Sequence, residues 1–415
     1  MTVANTQSET FQNEVAAVLN NIQSTLSALT ATLEGGPTKP QELARLLKLD
    51  KSLAWKVHRI MQSNDPFAAA RLVPGSAGVA ILADAVRKHT SDSLADAVTD
   101  AFEAFESLVE RHAGDRGTFE LLVSGFRPDG RNEIDISHRR NAFVGNSAIL
   151  GLQSRLTNVL SILQPAEEES KLDMVKVGVV LNLRRLRPDV FAPVWRVRYH
   201  EGPDRKLLAR RGEPLEPTLE VPGAGFGVPL LSKFSSDAIP PLRAVNMPNG
   251  LVDVELTQGD VGDTGALTMV FAEVYRAMAD RYASEGDRHF DIIHRPYIPT
   301  EVLVQDLFIR RGTFPRVRPE LAVYHMFDPA LELGAPLPER YRLPMSIPVE
   351  HVGLGPAFFR SPDLPQYSAL LTHVFGTVGW DASQFDLYRV RIPYPIQPSA
   401  SVIRFELPFK ADLAR

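Results

Sequence analysis

Between residues 10 and 34, Phe11, Val15, Val18, Ile22, Leu26, Leu29 and Leu33 recur at steps of three and four, which lays one continuous apolar stripe along a helix. Gly35, Gly36 and Pro37 stop it. A second, short helix carries Leu43, Ala44 and Leu47 inward; Thr38 caps it, Gln41 completes a capping box, and Pro40 sits in the first turn, where a missing N–H costs nothing. Leu47 to Asp50 makes a turn. A third helix follows, capped by Asp50 or Ser52, with Leu53, Val57, Ile60 and Met61 facing inward and Lys51, Ser52, Trp55, Lys56, Arg59 and Gln62 facing outward. SAGVAILADAVRK and SDSLADAVTDAFEAFESLVERH continue the helical texture. Past the Pro-Asp-Gly turn in FRPDGRNEIDIS, a further helix is expected from about Phe143 to Leu163, ending at Gln164 and Pro165.

Beyond Leu172 the period shortens to two. Val175, Val177, Val179, Leu181 and Leu183 alternate with other residues, as do Trp195, Val197 and Tyr199. LVDVELTQ, ALTMVFAEVYRA, FDIIHRPYIP, ELAVYHMF, LPMSIPVEHV, DLYRVRIPYP and SVIRFELP read as short strands set off by Pro and Gly. One helix interrupts them, Gln366 to Val378, with Tyr367, Leu370, Leu371, Val374, Phe375 and Val378 on its inner side. The expected fold is α+β: an all-helical N-terminal region, then a β-rich domain built as a sandwich or partly open barrel. The expected divisions are 1–90 for the N-terminal helix with the helix-turn-helix, 91–165 for a helical connection, and 172–415 for the β-rich domain.

The segment ELARLLKLDKSLAWKVHRIMQS, within residues 38–63, resembles the helix-turn-helix of IclR-type bacterial regulators, with its short ELA helix, Lys-Ser opening and Val-His-Arg core. In that family the second helix of the pair reads DNA, so the resemblance implies this role for Lys51, Ser52, Lys56 and Arg59. The outward row supports the same reading independently, because Lys, Ser, Arg and Gln side chains on one helical face reach phosphates and base edges of a major groove. Trp55 and Gln62 share the face and complete the candidate set. The alternative is a three-helix module that serves only for packing or protein contact.

Composition narrows the classes. The chain has 415 residues, a net charge of −5 and no cysteine, which excludes disulfides, thiol nucleophiles and cysteine-ligated metals. No apolar run reaches membrane-spanning length and the N-terminus has no leader pattern, so a cytoplasmic protein without membrane contact is expected. Charge is uneven: residues 37–90 hold nine Lys/Arg against four Asp/Glu, and the next forty hold three against nine, as a DNA-contacting head on a non-contacting body would. A second basic stretch carries Arg184, Arg185, Arg187, Arg196 and Arg198. These are a secondary candidate for phosphate contact, or else the solvated face of strands over a Trp/Val/Tyr core.

Gly223, Gly225 and Gly227 lack the strand before and helix after that a phosphate cradle requires, and read as a loop. His289 and His294, His325 and Asp328, and Glu350 and His351 have metal-ligand chemistry but no uniting spacing. FDIIHRPYIP and YRVRIPYPIQP are aromatic enough to line a pocket for an apolar ligand, or to be core strands. With no catalytic constellation, metal or cofactor motif recognised, an enzyme ranks third. The first reading is a DNA-binding transcriptional regulator or DNA-organising protein, binding double-stranded DNA as at least a homodimer through residues 10–34, with a ligand-sensing or assembly domain. The second is a structural self-assembling protein.

Overall fold

The computed structural model describes residues 2–36, 39–126, 131–190, 192–201, 207–209, 212–247, 251–326 and 337–413, and the chain divides into two compact units, 1–135 and 136–415. The α+β layout holds: helices come first and a strand-rich region follows. Among the described residues no helix is long and apolar enough to cross a membrane.

The first unit comprises α1 (Thr2–Thr32), α2 (Pro40–Leu46), α3 (Lys51–Met61), α4 (Pro66–Ala70), α5 (Ser76–His89), α6 (Asp92–His112) and α7 (Arg116–Ser124). Phe11, Val15, Leu19, Ile22, Leu26 and Leu29 form the buried side of α1, with Leu19 in the place expected for Val18, which is only half-buried. Each such side chain contributes about 1.5–3 kcal/mol on burial. The surfaces that cover it are α6, α3 and α4 of the same unit. The stripe expected to pair with a second copy is thus covered within its own unit.

The second unit begins in α8 (Arg131–Leu150), which spans the division between units. Gly151, at φ +69°, ends the helix, and a Cβ at that position would collide with the Val190 side chain. The chain then enters β1 (Leu152–Pro165). The helix expected from Phe143 to Leu163 thus stops at Leu150, and the leucines at 152, 156, 160 and 163 lie on a strand. The boundary read near 165–172 moves to 135/136 for the same reason. Helices α6 and α7 share the first core, β1 is the middle of the second, and no separate connection at 91–165 remains.

The remaining elements are β2 (Lys171–Arg185), β3 (Pro193–Glu201), β4 (Leu207–Ala209), β5 (Glu213–Pro214), β6 (Leu219–Glu220), β7 (Gly227–Val228), β8 (Leu242–Met247), β9 (Leu251–Leu256), β10 (Leu267–Asp280), β11 (His289–His294), β12 (Thr300–Arg310), β13 (Glu320–His325), β14 (Glu350–Leu354), α9 (Tyr367–Val378), β15 (Phe385–Pro393) and β16 (Ser399–Glu406). A seven-stranded sheet runs β14-β15-β12-β1-β2-β10-β5, with β1 and β12 parallel at its centre and antiparallel neighbours outside them. It has two edges, β14 and β5, so it is not a closed barrel. Of LPMSIPVEHV only Glu350 onward forms a strand; Leu343, Met345, Ile347 and Val349 pack on the core, while Pro344 and Pro348 have no N–H to give a ladder. The Gly223–Gly227 loop joins the short β6–β7 pair.

Both faces of the large sheet are covered. On one, α9 packs Tyr367, Leu370, Leu371, Val374 and Phe375 over Leu156, Leu160, Val177, Val304 and Phe308. Gly379, left-handed at φ +72°, ends that helix. Within this core Asp306 is wholly buried and accepts two hydrogen bonds from the Arg389 guanidinium, at 2.6 and 3.0 Å, and one from the Tyr367 hydroxyl at 2.5 Å. Burial pulls Arg389 down, but the Asp306 carboxylate outweighs it and the guanidinium is held above its ordinary range. Burial and the same negative charge push the Tyr367 phenol well up. The other face is covered by two smaller sheets, β11-β16-β13 at one end and β4-β3-β9-β8 at the other.

Candidate nucleic-acid interface

Helix α2 begins at Pro40 with Lys39 as N-cap and no side-chain cap bond; the expected capping residue, Thr38, lies outside the described residues. The turn to α3 is closed by two backbone bonds, from the Leu47 N–H to the Leu43 carbonyl and from the Leu49 N–H to the Ala44 carbonyl, each 3.0 Å. That second bond spans six residues and requires a left-handed residue before Leu49. Lys48 fills this role at φ +53°, a conformation that costs a residue with a Cβ about 1 kcal/mol. Lys48→Gly is accordingly expected to raise stability by about 1 kcal/mol, read as a shift in urea midpoint at unchanged m-value. A loss of stability would show that the Lys48 side chain contributes more than its backbone strain costs.

Two contacts fix α3 in place. Its first turn is capped by Asp50, whose carboxylate accepts the Ser52 N–H at 2.7 Å. At its far end Gln23 of α1 donates to the carbonyls of Ile60 and Ser63, both at 2.8 Å, so the helix is tied at both termini. Ala54, Val57 and Ile60 are buried, and Leu53 and Met61 pack against them as expected. The opposite side leaves Lys51, Ser52, Trp55, Arg59 and Gln62 exposed and Lys56 half-buried. The Arg59 guanidinium lies 5.8 Å from the Trp55 ring centre, a cation–π contact that lends both side chains one orientation. Lys51, Lys56 and Arg59 have no acidic partner among the described residues, whereas Arg87, Arg111 and Arg116 of the same unit are paired with Asp or Glu. Gln23 was missed by sequence reading. The visible signal for Gln23 was its place between Leu19 and Leu26, on the border of the apolar stripe. No strand, and so no two-stranded wing, occurs among the described residues of this unit.

The secondary basic stretch does not form one patch. Arg184 pairs with Asp263 at 2.9 Å and with Glu301 at 3.4 Å. Arg185 is buried and donates to the carbonyls of Val190 and Leu256. Arg187 donates to the Ile149 carbonyl, and Arg196 makes a two-pronged pair with Asp253 while lying over the Tyr297 ring. The Arg198 side chain lies outside the described residues. The four described arginines are thus occupied by internal partners, and a phosphate would have to displace them.

The histidine clusters do not converge either. His351 pairs with Asp386, Asp328 lies outside the described residues, and no group of three or more His, Asp or Glu side chains among those described is placed to hold a metal.

No family model and no curated protein matches the chain. A solved structure from Parabacteroides distasonis, described as a protease candidate, is similar over 62% of this chain at 9% identity and a TM-score of 0.25. This chain spans 41% of that structure's length, and a likeness at this level carries no conclusion.

Proposed function

We propose that the first unit binds duplex DNA through α3 and that the protein is a cytoplasmic DNA-binding regulator or organiser whose second unit senses a ligand or mediates assembly. The observation behind this reading is the row Lys51, Lys56 and Arg59: three cations without acidic partners among the described residues, on the outward side of a helix tied at both ends. An unpaired basic row on a rigid helix meets phosphates without first breaking an internal ion pair. A palindromic site asks for two such helices, so dimerisation belongs to the proposal, through a surface other than the covered stripe of α1.

Exposed Trp55 beside Arg59 favours a second reading, contact with a protein, since these two residue types concentrate binding energy at protein interfaces. Fluorescence anisotropy on a labelled duplex at several salt concentrations separates the two. Replacing Lys51, Lys56 and Arg59 together with Ala is expected to leave the fold intact and to reduce the salt slope by about one unit per lost phosphate contact. Equal affinity and slope for wild type and triple variant would remove DNA from the account and leave the protein-contact reading.

A further inference from the structure

The two small sheets over the second face of the large sheet meet different ends of it. Leu163, Leu303 and Leu307 lie under one, and Val180, Met269 and Phe271 under the other. Between them the register aligns Ser161 with Lys176 and Lys176 with Glu273. One row along, it aligns Gln305 with Val159, Val159 with Gly178 and Gly178 with Phe271. All these residues share one face of the pleat.

At the centre of this region stands Gly178, which has no side chain. A Cβ built on Gly178 meets nothing closer than the Phe271 ring edge, at 4.0 Å, so a methyl group fits without moving a neighbour. Solvent reaches the same place, since Lys176 is the one exposed residue of β2 although strands flank it on both sides. Around the hollow stand polar groups without partners. Gln305 is 2% exposed, and neither its amide nitrogen nor its amide oxygen has a hydrogen-bond partner. The His294 Nε2 is buried and unpartnered as well. Lys176 makes no hydrogen bond or ion pair among the described residues, while Glu273 across from it accepts the Tyr275 hydroxyl at 2.8 Å. Groups left unpaired in this way mark places where something else completes their bonding.

We propose that this hollow binds a small organic carboxylate, with the Lys176 ammonium against the carboxylate, Gln305 and His294 completing its hydrogen bonds, and Gly178, Val159 and Phe271 around its apolar body. Lys176 and Glu273 offset one another's charge, so a monoanion adds one net negative charge to the site where a phosphate dianion would add two. The protonation states agree. Burial and the nearby Lys176 charge push His294 down to about 3, so the imidazole is neutral near pH 7 and both donates and accepts. The site lies wholly within the second unit and does not depend on DNA binding by α3.

Saturation-transfer NMR on the full chain tests it, with acetate, butyrate, hexanoate and benzoate as probes and benzyl alcohol as the neutral counterpart. At least one carboxylate is expected to bind and benzyl alcohol is not. Lys176→Met keeps the length of the stem, is expected to melt no lower than wild type, and should weaken carboxylate binding at least tenfold. Gly178→Leu fills the hollow and should abolish binding with Lys176 still present. Failure of all four carboxylates to bind wild type overturns the proposal, and so does undiminished affinity in either variant that melts like wild type.

Discussion

A fragment beginning at Leu172 is expected not to fold, whereas one beginning at Ile136 should unfold cooperatively. The difference between them is chiefly β1, which lies between β2 and β12 and is hydrogen-bonded to both. Leu156, Leu160, Ile162 and Leu163 are almost completely buried there, contacting both the α9 core and the core under β11-β16-β13. At about 1.5–3 kcal/mol for each side chain, their loss alone removes about 6–12 kcal/mol, as much as the whole stability of most domains, about 5–15 kcal/mol. Near-UV circular dichroism and dye binding to exposed apolar surface distinguish the outcomes. A sharp thermal transition with native near-UV signal in the Leu172 fragment would show that β1 is dispensable.

Asp306→Ala is expected to cost about 3–5 kcal/mol, the usual consequence of removing one member of a buried ion pair. Arg389 would keep its bond to the Arg360 carbonyl, which carries no charge, and the Tyr367 hydroxyl would lose its acceptor within the α9 core. The penalty comes from the stranded partner. Asp306→Leu combined with Arg389→Met should therefore cost less than Asp306→Ala alone, because no uncompensated charge remains. Urea titrations of the three chains read the difference directly. If the double variant is less stable than the single one, the pair contributes net attraction beyond satisfying its own desolvation.

Helices α1, α2, α3, α5 and α6 were legible because each has one wet side, so the 3.6-residue period survives in the sequence; α4 and α7, of 5 and 9 residues, were not. The same holds for strands with a partly solvated face, such as β15. The two strands at the centre of the sheet were not recognised. In β1 and β12 both faces are covered, so apolar residues follow one another without alternation. In β1 the leucines also fall by chance at steps of three and four. EVLVQDLFIR carries Gln305 and Asp306 at its middle, and two polar residues in a row disguise a strand whose both faces are interior. The outward residues of α3 were legible for the reason its inward ones were. The basic stretch near residue 190 misled because its neutralising acids, Asp253, Asp263 and Glu301, lie 57, 79 and 117 residues away from their partners, beyond the reach of any local count.

The parallel pairing of β1 with β12 joins positions 146 residues apart. During synthesis at about 5–20 residues per second, β1 leaves the ribosome about 7–30 s before its central neighbour exists. Its hairpin with β2 forms within microseconds and then waits with one long, apolar edge open. The nascent chain must therefore be shielded for about a third of its own synthesis, and strand β12 is the piece whose arrival ends that exposure.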